Sequence, residues 1–410
     1  MDDARAAKAR VIALRMILIT SGSIQDGVGS TRCYHRAMQP HTGKRVVVSA
    51  YGETPLQALD EHVTLEDQPR PDPATLRAGD VIIAIRSAAV GWVDLLMTSG
   101  QYQHMPEPPY TPGLEYAGVV DHVGDAVEGV AVGDEVLVDA LAVGPRSSTE
   151  YRGYGGFAHY AVAPADALMP LPRGLSFDQA CSFLGSYETA YHCLVARGRV
   201  QSGETVLIHG ASGATGMAAV QVAKICGARV IATGRSDDKL AVVEAYGADH
   251  VINSKDTPRF RDAVKALTDG RGVDVVYDGV GGDISLESLR CVRFGARFLI
   301  VGWAATPFVA KGRGQRGAPN ANMLPTNLIM MKGLDVLGCP TVIATGRDPS
   351  IRPPRLAALL RWCEEGLIKP HVSHTFDLDD YDEAMRAKWR GDVIGGCVLH
   401  PRRVSEGDVR

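Results

Sequence analysis

Residues 206–227, VLIHGASGATGMAAVQVAKICG, set a short apolar run, a turn of small residues and an apolar-faced helical pattern end to end. The run 206–209 has β character, residues 210–216 allow a tight turn, and Ala219, Val222, Ala223 and Cys226 share one face of a helix that Gly227 stops. Strand, turn and helix in this order open a βαβ unit, where small residues let the backbone approach a pyrophosphate and the helix N-terminus favours its charge. In a G-x-G-x-x-G frame Gly213 and Gly216 fill the last two positions but Ala211 stands in the first. The turn by itself therefore also admits a plainer role, letting a helix pack closely on a sheet.

The residues beyond the turn favour nucleotide binding. Strand-like runs at 229–233, 250–253, 273–278 and 297–301 alternate with helical patterns at 215–226, 237–246, 257–268 and 283–292, which predicts a parallel sheet with helices on both faces and right-handed crossovers. Before it, from 44 to about 171, the pattern is short β runs (45–50, 80–86, 116–123 and 135–140) punctuated by proline and glycine, which suits a compact β barrel. After a run at 334–339 come a helix at 354–365 and strand-like segments at 371–376 and 393–399. A chain of 410 residues exceeds what one core usually organises, so two domains are expected.

Composition narrows the class of partner. With 45% apolar and 22% charged residues and a formal net charge of -4, the chain offers no electrostatic footprint for nucleic acid or a membrane surface. Its 8 cysteines, at 33, 181, 193, 226, 291, 339, 363 and 397, contain no pair two residues apart. Neither a zinc ribbon nor a redox dithiol is indicated, and reduced thiols in a cytoplasmic protein are the simplest inference. Residues 1–43 read as an N-terminal extension: the run 11–20 is too short to span a membrane and no small-residue cleavage pattern comes after it.

Several ordered motifs then carry a resemblance. GWVDLLMTSGQY at 91–102, PYTPGLEYAGVV at 109–120, VGDEV at 132–136, GGFAHYAV at 155–162, GADHVINS at 247–254, DGVGG at 278–282 and RFLIVGWA at 297–304, together with the glycine turn, resemble the medium-chain dehydrogenase/reductase superfamily in its zinc-independent quinone oxidoreductase (zeta-crystallin-like) branch. The resemblance covers about residues 45–400. It implies an α/β protein in which a GroES-like β-barrel catalytic domain (44–174 and 343–410) is joined to a Rossmann doubly wound parallel-sheet nucleotide-binding domain (175–342).

Departures from the superfamily pattern bear on function. Where its zinc alcohol dehydrogenases have a metal-binding cysteine and histidine, this chain has Gly91 and Leu114, and the cysteine-rich structural zinc lobe is missing. Neither replacement offers zinc a thiolate, imidazole or carboxylate, so no metal site is expected. Without that Lewis acid, hydride should go to an acceptor that is already electrophilic, either a quinone or an enoyl or acrylate-type double bond.

The end of the second strand bears on the cofactor. There Gly234, Arg235, Ser236 and Lys239 present cations and a hydroxyl where NAD-binding proteins carry an acid, which favours the 2′-phosphate of NADPH. Asp237 and Asp238 are explained by the helix macrodipole. By resemblance, Ser212, Gly213, Ala214 and Thr215 lie under the pyrophosphate, and Ser254 stands where relatives often have a ring near the adenosine. Thr189, Val280, Gly302, Trp303 and Cys339 line the nicotinamide end, and a cofactor-binding lysine of relatives corresponds to Gly396.

On the acceptor side the resemblance implicates Tyr102, Asp94 and Asn327 as catalytic candidates, with Trp92, Leu96 and Tyr154 in the substrate cleft. Tyr102 has the chemistry of a proton donor. Asp94 suits a loop-tying role better than that of a general base. Tyr151 and Phe157 are further candidates for the cleft mouth. The expectations are an NADPH-dependent oxidoreductase acting on a small electrophile, with a non-catalytic NADPH-binding protein as the alternative of another class. A homodimer formed through the strand-like run 334–339 at a sheet edge is also expected.

Overall fold

The computed structural model describes residues 42–102, 106–143, 150–305 and 322–401. Nearly all of the N-terminal extension, and the tail after 401, lie outside the described residues.

The first half of the chain is β-rich. A hairpin of β1 (Gly43–Val48) and β2 (Val63–Gln68) is succeeded by β3 (Asp80–Ala89), β4 (Glu115–Val123), β5 (Glu135–Val138), β6 (Tyr160–Pro164) and β7 (Leu168–Pro170). The second half then contributes β8 (Thr205–Ile208), β9 (Arg229–Gly234), β10 (His250–Asn253), β11 (Val273–Asp278), β12 (Val292–Ile300) and β13 (Asp335–Gly338). The chain closes with β14 (Val372–Asp377) and β15 (Gly396–His400).

Among the described residues two larger sheets result. One is seven-stranded, ordered β14-β15-β3-β4-β5-β7, with β6 also on β3, and forms the barrel. The other is six-stranded and parallel, ordered β10-β9-β8-β11-β12-β13. In chain order of its own strands that is 3-2-1-4-5-6, the doubly wound arrangement, whose switch point between β8 and β11 is where a dinucleotide is expected. The C-terminal tail returns to the barrel because Val398 and Leu399 pair with Ala89 and Ala88 of β3.

Several expectations shift in detail. β2 and β6 were not marked by the residue pattern. The helix expected at 283–292 is Asp283–Ser288, since β12 begins at Val292 and bends at Gly295 with a φ of +73°. The run at 334–339 is β13, the edge strand of the parallel sheet, as its position after the fifth strand implied.

Apolar packing crosses the domain boundary. Ala89, Ala117 and Leu137 of the barrel sheet share one buried cluster with Tyr187, Met217, Val206 and Val398. A polar seam lies beside it, where Arg352, at the start of helix Arg352–Glu364, bonds both Asp139 and Glu188, and buried Arg355 bonds Glu188 and Thr345. Burial of such charges is tolerated because each is paired and hydrogen-bonded.

Candidate cofactor cleft and active site

β8 ends at the glycine turn, and the turn is tight for a steric reason. Gly210 takes φ +62°, the Gly213 amide donates to its carbonyl at 3.0 Å, and a Cβ on Gly216 would sit 2.3 Å from the same oxygen. Gly210, one residue before the expected frame, therefore supplies the turn. Ala211 is instead buried and donates its amide to Thr233 of β9. Helix Ala214–Ile225 starts from Gly213 with no side-chain cap, which suits a site for phosphate oxygens. Ser212, Gly213, Ala214 and Thr215 thus stand where a pyrophosphate would be cradled.

Under the turn lies a polar network that sequence reasoning did not single out. His209 is buried, with Nδ1 2.8 Å from Thr233 Oγ1 and Nε2 2.7 Å from Ser288 Oγ. Because Ser288 donates its hydroxyl to the Ile284 carbonyl, its oxygen accepts from Nε2–H, and Nδ1 accepts from Thr233. Burial pushes the His209 pKa down to about 4, against the opposing pull of Asp278. Asp278 in turn accepts the Val280 and Gly281 amides, each at 2.9 Å, and the Ser285 hydroxyl, while Asn322 bonds Ser285 and the Gly282 amide.

These bonds shape the segment expected to line the nicotinamide end. Val280 is held against Gly210, and Gly302 donates its amide to the Asp278 carbonyl. Trp303 comes beside Gly281 and is 51% exposed. Thr189 donates its hydroxyl to Gly185 at 2.7 Å within its own helix. Cys339 is buried, and a hydrogen bond from the Cys193 thiol, with Arg197 nearby, holds its own thiol below the usual range. Its side chain faces the core, so the contact it offers a ligand is through the backbone.

At the end of β9, where the adenosine end is expected, Arg235 and Lys239 converge on Gly391. Arg235 is exposed, Lys239 donates to the Gly391 carbonyl, and Ser236 makes no side-chain capping bond although it begins helix Asp237–Ala245. Ser254 returns its hydroxyl to the Gly234 carbonyl at 3.0 Å. Gly396 leaves little room for a longer side chain, since a Cβ there would come within 2.8 Å of Ser182 Oγ. A lysine does lie close by, for Lys388 Nζ is 3.2 Å from the Gly395 carbonyl and desolvation lowers its pKa. The glycine turn, the uncapped helix and the cation pair are a donor set that fits a phosphorylated dinucleotide.

On the barrel side the structure corrects part of the expectation. Asp94 is 2% exposed and accepts the amides of Gly91 at 2.9 Å and of Gly113 and Leu114 at 3.1 Å. It ties the helix Trp92–Thr98 to the loop before β4, and this structural work replaces the catalytic place given to it. Tyr151 and Phe157 are core residues, not cleft-mouth ones: both are buried, and the Tyr151 hydroxyl donates to Asp80 at 2.6 Å. Tyr102, Leu96 and Tyr154 are half-buried, and Tyr102 and Tyr154 pack on the barrel core. Trp92 stacks on Trp389, centroids 5.2 Å apart. Asn327 is exposed on helix Thr326–Lys332, which packs against β12 at the far side of the parallel sheet from β10.

Comparison with known proteins agrees with this architecture. Residues 77–173 match the alcohol dehydrogenase GroES-like domain, and residues 214–342 match the family described as zinc-binding dehydrogenase. Quinone oxidoreductase-like protein 2 of Mus musculus is 31% identical over 342 residues, covering 82% of this chain and 89% of the relative. Among solved structures, mycobacterial Rv1454c complexed with NADPH aligns with a TM-score of 0.69 at 25% identity, covering 88% of this chain and 100% of that one. The CurF ER cyclopropanase of the curacin A biosynthetic pathway aligns with a TM-score of 0.69 at 26% identity, covering 88% and 99%.

Fold and site together define a two-domain oxidoreductase with a nicotinamide cofactor. The chain belongs to the quinone oxidoreductase-like family of the medium-chain dehydrogenase/reductase superfamily. Among the described residues no group of three or more histidine, cysteine, aspartate or glutamate side chains is arranged to hold a metal ion, and no helix is long and apolar enough to cross a membrane.

Proposed function

We propose that the chain is a zinc-independent reductase that uses NADPH to reduce a quinone-type acceptor. The observation that carries this reading is the arrangement around Asp94. Gly91 and Leu114, which stand where zinc relatives have metal ligands, offer no donor side chain, and their amides are bound to the Asp94 carboxylate. A site organised by backbone bonds in this way favours chemistry on an acceptor that is electrophilic without a metal.

The reduced nicotinamide supplies the hydride when bound. The protein's own contribution is alignment and exclusion of water: the glycine turn and Arg235 with Lys239 would hold the phosphates, the Asp278 network fixes residues 280–282, and the shared apolar cluster keeps the domain junction dry. Tyr102 is the proposed proton donor to the reduced acceptor, because its phenol carries a proton it can give to a developing enolate or phenolate oxygen. NADPH is preferred to NADH because the end of β9 presents two cations and an uncommitted capping position.

A second reading, reduction of an enoyl or acrylate-type double bond, draws support from the likeness to the CurF ER domain. A protein that binds NADPH without turnover is the alternative of another class. A screen of NADPH oxidation over quinones and enones separates all three. Quinone turnover supports the first, enone turnover alone supports the second, and binding with no oxidation of either kind leaves the third. We further propose a cytoplasmic homodimer formed through β13, with a small molecule, and neither nucleic acid nor membrane, as its partner. Exposed Met330 and Met331, on the helix that leads into β13, support that interface.

A further inference from the structure

The cation pair at the end of β9 does not face open solvent alone. Lys239 Nζ donates to the carbonyl of Gly391, and a Cβ on Gly391 would meet Arg235 Nη2 at 3.4 Å. Gly391 belongs to the barrel: it is the left-handed C-cap, φ +76°, of helix Tyr381–Arg390, which packs on β14 and β15. Four residues on, the Gly395 amide donates to Ser212 of the glycine turn at 2.8 Å, and Gly395 bridges Gly213. Residues 391–395 therefore form a strap from the barrel, fastened to the nucleotide domain at the adenosine end of the cleft and again at the pyrophosphate end.

Chemistry at the first fastening is unbalanced. Lys239 donates to the neutral Gly391 carbonyl while the Arg235 guanidinium lies beside the same residue, and the carboxylate that acts on Lys239 is Asp392, which is also bonded by Arg390 at 2.8 Å. Burial and the Arg235 charge both depress the Lys239 pKa. An ammonium has three donors, of which the Gly391 carbonyl uses one. A dianionic group placed between Arg235 and Lys239 would relieve the repulsion and take the remaining donors without displacing the strap.

We propose that the 2′-phosphate site is shared by the two domains, with Lys239 bridging the phosphate to the Gly391 carbonyl so that a 2′-phosphorylated nucleotide fastens the strap 391–395. The proposal rests on the NADPH reading above and deepens it. Discrimination against NADH then resides partly in domain closure, and the barrel takes part in cofactor choice.

Hydrogen exchange on the full-length protein, read at the amides of 391–396, tests this with adenosine 2′,5′-bisphosphate and adenosine 5′-monophosphate, each at saturation. The bisphosphate is expected to slow exchange across the strap at least fivefold, most clearly at the Gly395 amide, while the monophosphate leaves it near the free rate. In Arg235→Ala the bisphosphate binds more weakly but, at saturation, still protects the strap. In Lys239→Ala the protection is lost. Tighter binding of the bisphosphate with no change in strap exchange in the wild type would overturn the shared site while leaving the NADPH reading intact. Protection that survives Lys239→Ala overturns the bridging role. Equal affinity for the two nucleotides overturns the NADPH reading and this proposal with it.

Discussion

Arg352 and Glu188 meet in the buried seam between the barrel and the nucleotide-binding domain, with Nε and Nη2 of the guanidinium 2.7 to 3.2 Å from the carboxylate oxygens. Glu188 also accepts from buried Arg355 at 2.8 Å, and Arg352 reaches Asp139 at 2.5 and 2.8 Å. Removing the shared acceptor leaves Arg355 buried with its charge uncompensated. Glu188→Ala is therefore expected to lower stability by about 3–5 kcal/mol in urea denaturation. Glu365→Ala, which breaks a solvated pair with Arg361, should cost under about 1 kcal/mol. Similar losses in the two variants would refute the view that the seam is a high-stakes polar network.

His209 gives stability a pH dependence of known sign. Its folded pKa of about 4 is lower than the ordinary value of 6.5, so the unfolded chain takes up the proton first and stability falls as pH drops below 6.5. By pH 5 the contribution lost is about 2 kcal/mol. Denaturation of wild type and His209→Asn at pH 7.5 and pH 5 should show the difference between the two proteins shrinking by that amount. A difference independent of pH would mean that the imidazole titrates normally.

Nucleotide preference should be at least tenfold for NADPH over NADH, equivalent to about 1.4 kcal/mol. Arg235→Ala should remove most of it, because that guanidinium is exposed at the end of β9 beside Gly391. Titration of both nucleotides into both proteins measures this, and equal affinities in the wild type would sink the assignment.

Purified protein is expected to contain no stoichiometric zinc and to keep its activity in a chelator, since Gly91 and Leu114 bring only amides to Asp94. Elemental analysis finding one zinc per chain, lost together with activity, would defeat the metal-free reading.

The edge position of β13 leads to an association test. Light scattering at micromolar concentration should report a dimer, and Val336→Pro should weaken it, because proline removes a backbone donor from a strand that already pairs with β12 through Phe298. A strict monomer in the wild type rules the dimer out. An unchanged dimer in the folded variant moves the interface elsewhere.

Much of the architecture could be read locally. The parallel sheet was legible because each of its strands contains a short apolar run and helical patterns alternate with them, and the glycine turn because its small residues are consecutive. β2 was not, since VTLEDQ turns mostly polar, exposed positions outward and is held by pairing with β1. The cation pair at 235 and 239 was visible, but its partner Gly391 was not, because that contact joins residues far apart in sequence and exists only once the tail has returned to the barrel. Tyr151 and Phe157 misled for a related reason: glycines around an aromatic residue look like a mobile loop, yet here Gly155 and Gly156 pack closely on the backbone of 111–112 and on Tyr116, and both aromatic residues are buried in the barrel core.

The pairing of β15 with β3 imposes an order of events on synthesis. All six described strands of the parallel sheet emerge before β15 does, yet the buried cluster they share includes Val398, so that core stays open on one side, and β3 lacks one of its partners, until β15 arrives. Until then the nascent barrel displays an open edge. A truncation that removes β15 therefore unseals the first domain and opens the core at the junction with the second.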